Sequence, residues 1–234
     1  MPVKNSIIIP TYNKLETLKH CVESIIQHTD LTETEVIIVS NGCKDGTVEY
    51  IKGLGNAFKV IHWPEPVGYP NAVNIGICVS RGEYIIQLNN DVVLMAGNWL
   101  QLLLEPFTNH KTAGVTGLVK GNWNNLPWVI FFCAAFKKEV ISKIGLLDTI
   151  FSPGIGEDVD FCLKAVNAGY TVHQVPEQAL PTEKNNHNFK IGPFPIWHKG
   201  SSTFNELDRN LVNETTKRSF SILESRYGVQ YPNG

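Results

Sequence analysis

The sequence predicts an α/β fold, a single and mostly parallel β-sheet flanked by helices. Three observations lead to it. Short β-branched runs such as SIIIP, EVIIV and YIIQL show no polar alternation, as expected of strands buried on both faces. Stretches with apolar residues at helical spacing follow them, joined by loops of a few residues. Polar residues gather where the strands end, at PTYN, SNG and NND, and in open parallel sheets the crevice beyond the strand carboxyl ends is where ligands bind.

Taken in order, residues 6–10 form a strand ended by proline. The helix after it shows Leu15, Leu18, Val22, Ile25 and Ile26 at helical spacing. Residues 35–39 are the second strand, SNGCKDGT is turn chemistry, and 47–54 is a short helix closed by Gly55. A third strand spans 58–62, a helix 71–79, and a fourth strand 84–88. The second half is less regular. Residues 99–107 read as a helix, 113–119 and 129–136 as strands, and 137–144 as a helix stopped by Gly145. A Gly-rich loop then leads to a helix beginning near Glu157 and capped by Gly169. The stretch 176–199, rich in Pro, Asn and His, reads as a loop, and 203–227 as a polar helix. With 234 residues and 43% hydrophobic side chains, one continuous core and a single domain over residues 1–234 are expected.

Composition narrows the function. A formal charge of −2 offers no electrostatic footprint for a polyanion, which argues against nucleic acid. The five cysteines include no C-x-x-C pair, which argues against a zinc or redox site and for reduced, mostly buried thiols in a cytoplasmic setting. The first residues lead straight into a strand, so no secretory leader is expected, and no window is apolar over the length of a membrane span. The P-loop, the dinucleotide G-x-G-x-x-G, H-E-x-x-H and G-x-S-x-G are absent from the sequence.

Three groups remain as candidates for chemistry. Asn89, Asn90 and Asp91 interrupt an apolar run at the mouth of the predicted sheet, where an acid can hold a hard divalent cation. An Asx turn uses the same residues. Glu157, Asp158 and Asp160 open a helix, where acids gain about 0.3 to 1 kcal/mol each from its positive end. The same place also lets one carboxylate serve as a general base. His198 stands between a loop and small hydroxyl residues; as a metal ligand its imidazole favours Mn²⁺ over Mg²⁺, although a lone histidine is more often structural or simply exposed.

In order, SIIIPTYNKLETL, EVIIVSNGCKDGT, VGYPNAVNIGICVSRGEYIIQLNNDVVL, KIGLLDTIFSPGIGEDVDFCLKAVNAGY and WHKGSST resemble the motifs of family 2 glycosyltransferases with the GT-A fold, over about residues 5–228. LNNDV and GEDVDFCLKA most resemble the branch holding rhamnosyltransferases and other surface-glycan enzymes. The resemblance implies a Rossmann-like sheet with a smaller mixed sheet on the acceptor side. It also implies a nucleotide-sugar-binding half over 1–95 and an acceptor-binding, catalytic half over 96–234. It implies a nucleotide-diphosphate-sugar donor, UDP-sugar before dTDP- or GDP-sugar. Pro10, Thr11, Tyr12 and Asn13 match the first nucleotide loop. Ser40 replaces an acid usual in the family, leaving Asn41 to meet the base. The stretch from Gly68, with Asn71 and Asn74, matches the part near ribose and diphosphate. Asn89, Asn90 and Asp91 take the place of the D-x-D motif without its first acid, and His198 matches a histidine that completes the metal site.

By the same resemblance Asp158 is the general base, with Glu157 beside it orienting the acceptor, and transfer inverts the anomeric carbon. The acceptor is a hydroxyl of a glycan, glycolipid or glycoprotein, for which Trp123 and Trp128 offer flat faces, although both also suit core packing. Residues 181–195 are expected to close over the donor. Two alternatives stay open: a nucleotide-sugar-binding domain without catalysis, suggested by Ser40 and the weakened D-x-D, and a sugar nucleotidyltransferase, for which PTYNK is not the Gly-rich basic loop needed.

Overall fold

In a computed structural model, residues 2–123, 126–175, 194–199 and 208–228 are described, residues 118–123 by their backbone alone. The first half runs β1 (Asn5–Thr11), α1 (Leu15–His28), β2 (Thr34–Asn41), α2 (Thr47–Lys52), β3 (Phe58–Trp63), α3 (Tyr69–Val79), β4 (Tyr84–Leu88) and β5 (Val92–Leu94). The second runs α4 (Trp99–Asn109), β6 (Ala113–Trp123), β7 (Leu126–Lys137), α5 (Lys138–Ile144), α6 (Glu157–Asn167), β8 (Thr171–Gln174), β9 (Ile196–His198) and α7 (Arg209–Tyr227).

Seven strands form the main sheet in the order β3-β2-β1-β4-β7-β6-β8. β1 pairs in parallel with both β2 and β4, β2 with β3, and β6 with β8, whereas β7 is antiparallel to β4 and β6. The chain leaves β1 toward β2 on one side and returns to β4 on the other. The crevice between the carboxyl ends of β1 and β4 is therefore the switch point of the topology, the favoured ligand position in such sheets.

Both faces of the sheet are covered, as the unalternating strands require. Ile7 and Ile9 of β1 pack with Leu18, Val22 and Ile25 of α1 and with Trp99 and Leu103 of α4. Ile8, pointing the other way, packs with Val73 and Ile77 of α3 and, through the same layer, Phe161 and Ala165 of α6. Each fully buried isoleucine contributes about 2 kcal/mol by leaving water. α3 lies so close to β1 that a Cβ on Gly76 would stand 2.4 Å from Ile8 Cγ2, so only glycine permits this approach.

The three short strands β5, β8 and β9 were not anticipated. Elements of three or four residues are too brief for a periodicity to register, and β9 lies within the stretch expected to be a loop. The second sheet is the antiparallel pair β5-β9, not a mixed sheet, and β6, β7 and β8 join the main sheet. α3 begins at Tyr69, ahead of the predicted start, because Pro70 occupies its first turn, where a missing N–H costs nothing. α7 begins after Asp208, whose side chain accepts from the N–H groups of Asn210 and Leu211. Most of the expected closing loop, residues 181–193, lies outside the described residues.

Candidate active site

A cavity of about 440 Å³ opens at the carboxyl ends of β1, β2 and β4, within the size range of small-molecule sites. Of the residues singled out in the sequence, Pro10, Thr11, Tyr12, Asn41, Gly68, Asn89, Asn90, Asp91, Glu157, Asp158 and His198 line it. Asn13, Asn71, Asn74 and Trp128 do not. Tyr69, Phe131 and Phe132 also line it. Sequence reasoning passed these over because an aromatic residue beside a turn or within an apolar strand has the pattern of core.

One wall is built by the turn after β4. Asn90 is buried and its amide donates to Thr11 Oγ1 at 2.7 Å, tying this turn to the end of β1. Asn89 Oδ1 accepts from Gln87 Nε2 at 2.9 Å and from the Tyr69 hydroxyl at 3.1 Å. Asp91, only 5% exposed, faces His198: Oδ1 and Nε2 are 3.1 Å apart. The small sheet brings them together, because Val92 pairs with His198 across β5 and β9 and the Lys199 N–H donates to the Asp91 carbonyl. The imidazole lies flat on the Phe132 ring, centroids 4.2 Å apart and planes 6° apart, which fixes its direction.

Two donor atoms 3.1 Å apart match neighbouring ligands around an octahedral ion with bonds of about 2.1 Å. Asp91 and His198 thus fit as two protein ligands of a divalent ion, and their mixed oxygen and nitrogen set suits Mn²⁺ better than Mg²⁺. Among the described residues no group of three or more His, Cys, Asp or Glu forms a complete metal cage. The remaining positions would fall to ligand oxygens and water.

The cavity is also lined by Glu157 and Asp158, in the first turn of α6 after Gly156, whose φ of +94° only glycine adopts without strain. Glu157 is 7% exposed and its Oε2 has no hydrogen-bond partner among the described residues. Burial, then the charge of Asp158, push its carboxyl up to about 8. Burial also pushes Asp158 up, to about 6, opposed by the backbone N–H groups of Val159 and Phe131, which hold its carboxylate in place. The two titrate as a coupled pair: burial and mutual repulsion disfavour a double negative charge, so the pair tends to hold one proton and leave one carboxylate able to accept another.

The nucleotide-side residues fall into two groups. Asn41 Oδ1 accepts from the Val67 N–H at 2.7 Å. Since a backbone N–H can only donate, this fixes the amide with its NH₂ on the other side. Ser40 is fully buried on the far face, bonded to His62 Nδ1. Gly68, at φ +85°, packs so tightly on Ser152 that a Cβ would lie 2.7 Å from Ser152 Oγ.

Other residues expected at the ligand make contacts within the chain or lie outside the described residues. Asn13 Oδ1 accepts from the Lys44 N–H, and its carbonyl accepts from Thr11 Oγ1, so it shapes the loop after β1. Asn71 Nδ2 bonds the Val67 carbonyl at 2.8 Å. Asn74, buried, both donates to the Leu147 carbonyl at 2.9 Å and accepts from the Leu147 N–H at 3.0 Å, which clamps α3 to the turn before α6. Trp128 packs between the Phe131–Phe161 cluster and the Phe151–Leu223 cluster and is not among the residues lining the cavity. Trp123 ends β6, and its side chain lies outside the described residues.

The sequence profile of Glycosyl transferase family 2 matches residues 6–130. The glycosyltransferase GlyG of Streptococcus pneumoniae serotype 4 is 32% identical over 123 residues, covering 51% of this chain, which in turn spans only 39% of GlyG. A mannosyltransferase from Pyrobaculum calidifontis, solved with GDP-Man and Mn²⁺, superposes with a TM-score of 0.63 at 22% identity over 78% of this chain and 60% of its own. GalNAc-T7, solved with UDP, GalNAc and Mn²⁺, gives a TM-score of 0.63 at 18% identity over 75% of this chain and 43% of its own. At these identities the two structures establish a common GT-A fold.

Proposed function

This chain belongs to glycosyl transferase family 2, and we propose that it is an inverting, metal-dependent glycosyltransferase that moves a sugar from a nucleotide-diphosphate-sugar to an acceptor hydroxyl. One observation carries the reading: a single cavity is lined by both the Asp91–His198 pair and the Glu157–Asp158 pair. A leaving diphosphate calls for the first kind of group and an attacking hydroxyl for the second, within reach of one reacting carbon.

The cavity's charge supports metal dependence. Its described lining holds three carboxyl groups and no Lys or Arg, so a diphosphate entering it meets like charge unless a cation comes with it. Bound at Asp91 and His198, a divalent ion, Mn²⁺ by preference, would supply positive charge to the departing phosphate oxygens. The chain's own residues do the rest. Asp158, steadied by Val159 and Phe131, accepts the proton of the acceptor hydroxyl as its oxygen bonds the anomeric carbon and the bond to the diphosphate breaks. Attack opposite the leaving group inverts that carbon. Glu157, keeping its proton, donates a hydrogen bond to the acceptor and leaves the general-base role to Asp158.

The base is addressed by Asn41. Its NH₂, turned away from Val67, offers a donor to a base carbonyl; uracil, thymine and guanine carry one and adenine does not. We favour UDP-sugars, then dTDP- and GDP-sugars. The acceptor is proposed to be a glycan, glycolipid or glycoprotein of the surface type that the LNNDV and GEDVDFCLKA segments suggest.

The test is a panel of nucleoside diphosphates and their sugars, screened by thermal shift with and without Mn²⁺ and followed by assay of donor turnover. A rise in melting temperature that needs both Mn²⁺ and a carbonyl-bearing base is expected, because ligands of the native state stabilise it by mass action. No shift with any nucleotide would refute the donor assignment. Pyrophosphate release from a nucleoside triphosphate would point to a nucleotidyltransferase, and binding without turnover to a non-catalytic binding domain.

A further inference from the structure

The family match ends at residue 130, yet the acid pair is carried by the segment 148–160, and helix α7 grips that segment at both ends. Upstream, Arg218 donates to the Ser152 carbonyl, and Arg226 Nη2 bonds Asp148 Oδ2 at 2.7 Å. Downstream, Asp160 is fully buried; its Oδ1 accepts from Arg226 Nη1 and the Tyr227 hydroxyl, each at 2.7 Å, and its Oδ2 forms an ion pair with Lys164 Nζ at 2.7 Å. Between these points Leu223 packs with Phe151, Val159 and Leu163, so close to Gly156 that a Cβ there would lie 3.3 Å from Leu223 Cδ1.

The other side of the segment rests on the donor half of the cavity. The Tyr69 N–H donates to the Pro153 carbonyl at 2.8 Å, and Ser152 Oγ lies against Gly68 and receives Asn71 Nδ2. The loop that aims Glu157 and Asp158 is thus held between α3 and α7. Asp160 shares the first turn of α6 with the pair, so a displacement of Asp160 turns both carboxyls with it.

We infer that α7 is a brace for the catalytic carboxyls, with Arg218 and Arg226 as positioning residues that set where Glu157 and Asp158 stand without touching the cavity. The inference rests on reading the cavity as a glycosyltransferase site. It assigns a role to a helix beyond the family match. Arg218 is exposed apart from its bond to Ser152, so its replacement leaves the core intact.

The experiment compares the full chain with Arg218→Met, Arg218→Lys and Arg226→Lys. It measures kcat and donor KM, Mn²⁺-dependent UDP binding by calorimetry, and the titration of the Glu157 and Asp158 carboxyls by ¹³C NMR. In Arg218→Met we expect kcat to fall about fivefold or more with donor KM and UDP affinity within about twofold. The Glu157 titration should move down by about half a pH unit or more as the loosened turn admits water. Arg218→Lys should keep most of kcat, and Arg226→Lys, which loses the two-pronged grip on Asp148 and Asp160, should fall between. Carboxyl titrations unchanged in both Arg218→Met and Arg226→Lys would overturn the inference whatever the activity, and so would UDP affinity falling in step with kcat. If the wild-type chain transfers no sugar, the functional reading fails while the titrations still decide on the brace.

Discussion

Replacing Glu157 with glutamine tests whether burial and a like-charged neighbour hold a proton on the acid pair. The unfolded chain releases this proton near the ordinary value of 4.5, while the folded chain keeps it to about 8. Between those values the folded state binds more protons, so stability falls as pH rises, and above the upper value the whole penalty is present. At 1.36 kcal/mol per pH unit the window sets a ceiling of roughly 5 kcal/mol. Asp158 takes up part of the shared proton, which leaves about 2 to 4 kcal/mol for Glu157 alone. Glutamine has the same shape and no charge, so the variant should lose this slope and also let Asp158 ionise more readily. Metal-free protein melted between about pH 5 and pH 9 should show the two chains alike at the acid end. At the alkaline end the variant should melt higher by roughly 5 to 15 °C, from about 2 to 4 °C per kcal/mol in a chain of this size. Parallel curves across the range, or a variant less stable at the alkaline end, would refute the reasoning.

Three further outcomes are expected. Asp158→Asn should cut sugar transfer roughly 100- to 10,000-fold while calorimetry finds Mn²⁺-dependent UDP binding intact; equal losses in both would move Asp158 out of the base role. His198→Ala should weaken Mn²⁺-dependent UDP binding by about tenfold or more, and full binding in titrations with Mn²⁺ would remove His198 from the metal site. Asn74→Ala should lower stability by about 2 to 4 kcal/mol in urea unfolding, since it strands the N–H and carbonyl of Leu147, yet leave UDP affinity unchanged; a selective loss of affinity would return Asn74 to the donor site.

Elements whose packing is local in sequence were legible. β1, β2 and β4 announce themselves because a parallel strand covered on both faces must be apolar at every position, and Ile7, Ile8 and Ile9 supply both faces in succession. The rim followed from that, since residues after such strands have only one end of the sheet to occupy, and Thr11, Asn41 and Asn90 all reached the cavity. Asn74, expected at the donor, bonds the backbone of Leu147 and does not line the cavity. A buried amide on a helix near a turn has the same local pattern whether it faces a ligand or a backbone carbonyl, and only the position of Leu147, distant in sequence, decides between them.

The meeting of Asp91 and His198 shows where local reading ends. Nothing near IWHKG specifies a partner; the resemblance to a family motif supplied the pairing, and β5 and β9 supply its mechanism. Three residues on each strand are too few to persist alone, since isolated two-stranded pairs are marginal in water. What holds them is cover on the inner face: Val92, Leu94, Phe194 and Ile196 are all buried in the cluster that contains α1 and α4. The metal wall is therefore anchored in the same core as β1, and the acid wall in the other layer through Phe161 and in the α7 cluster through Val159 and Leu163. Tyr69 spans the gap, its hydroxyl on Asn89 and the Phe131 carbonyl and its backbone N–H on Pro153. The spacing between metal and base is then set by two packed layers tied together by Tyr69 and by β7, where the Phe131 N–H holds Asp158 and the adjacent Phe132 ring lies on His198, which is why no single stretch of the sequence encodes it.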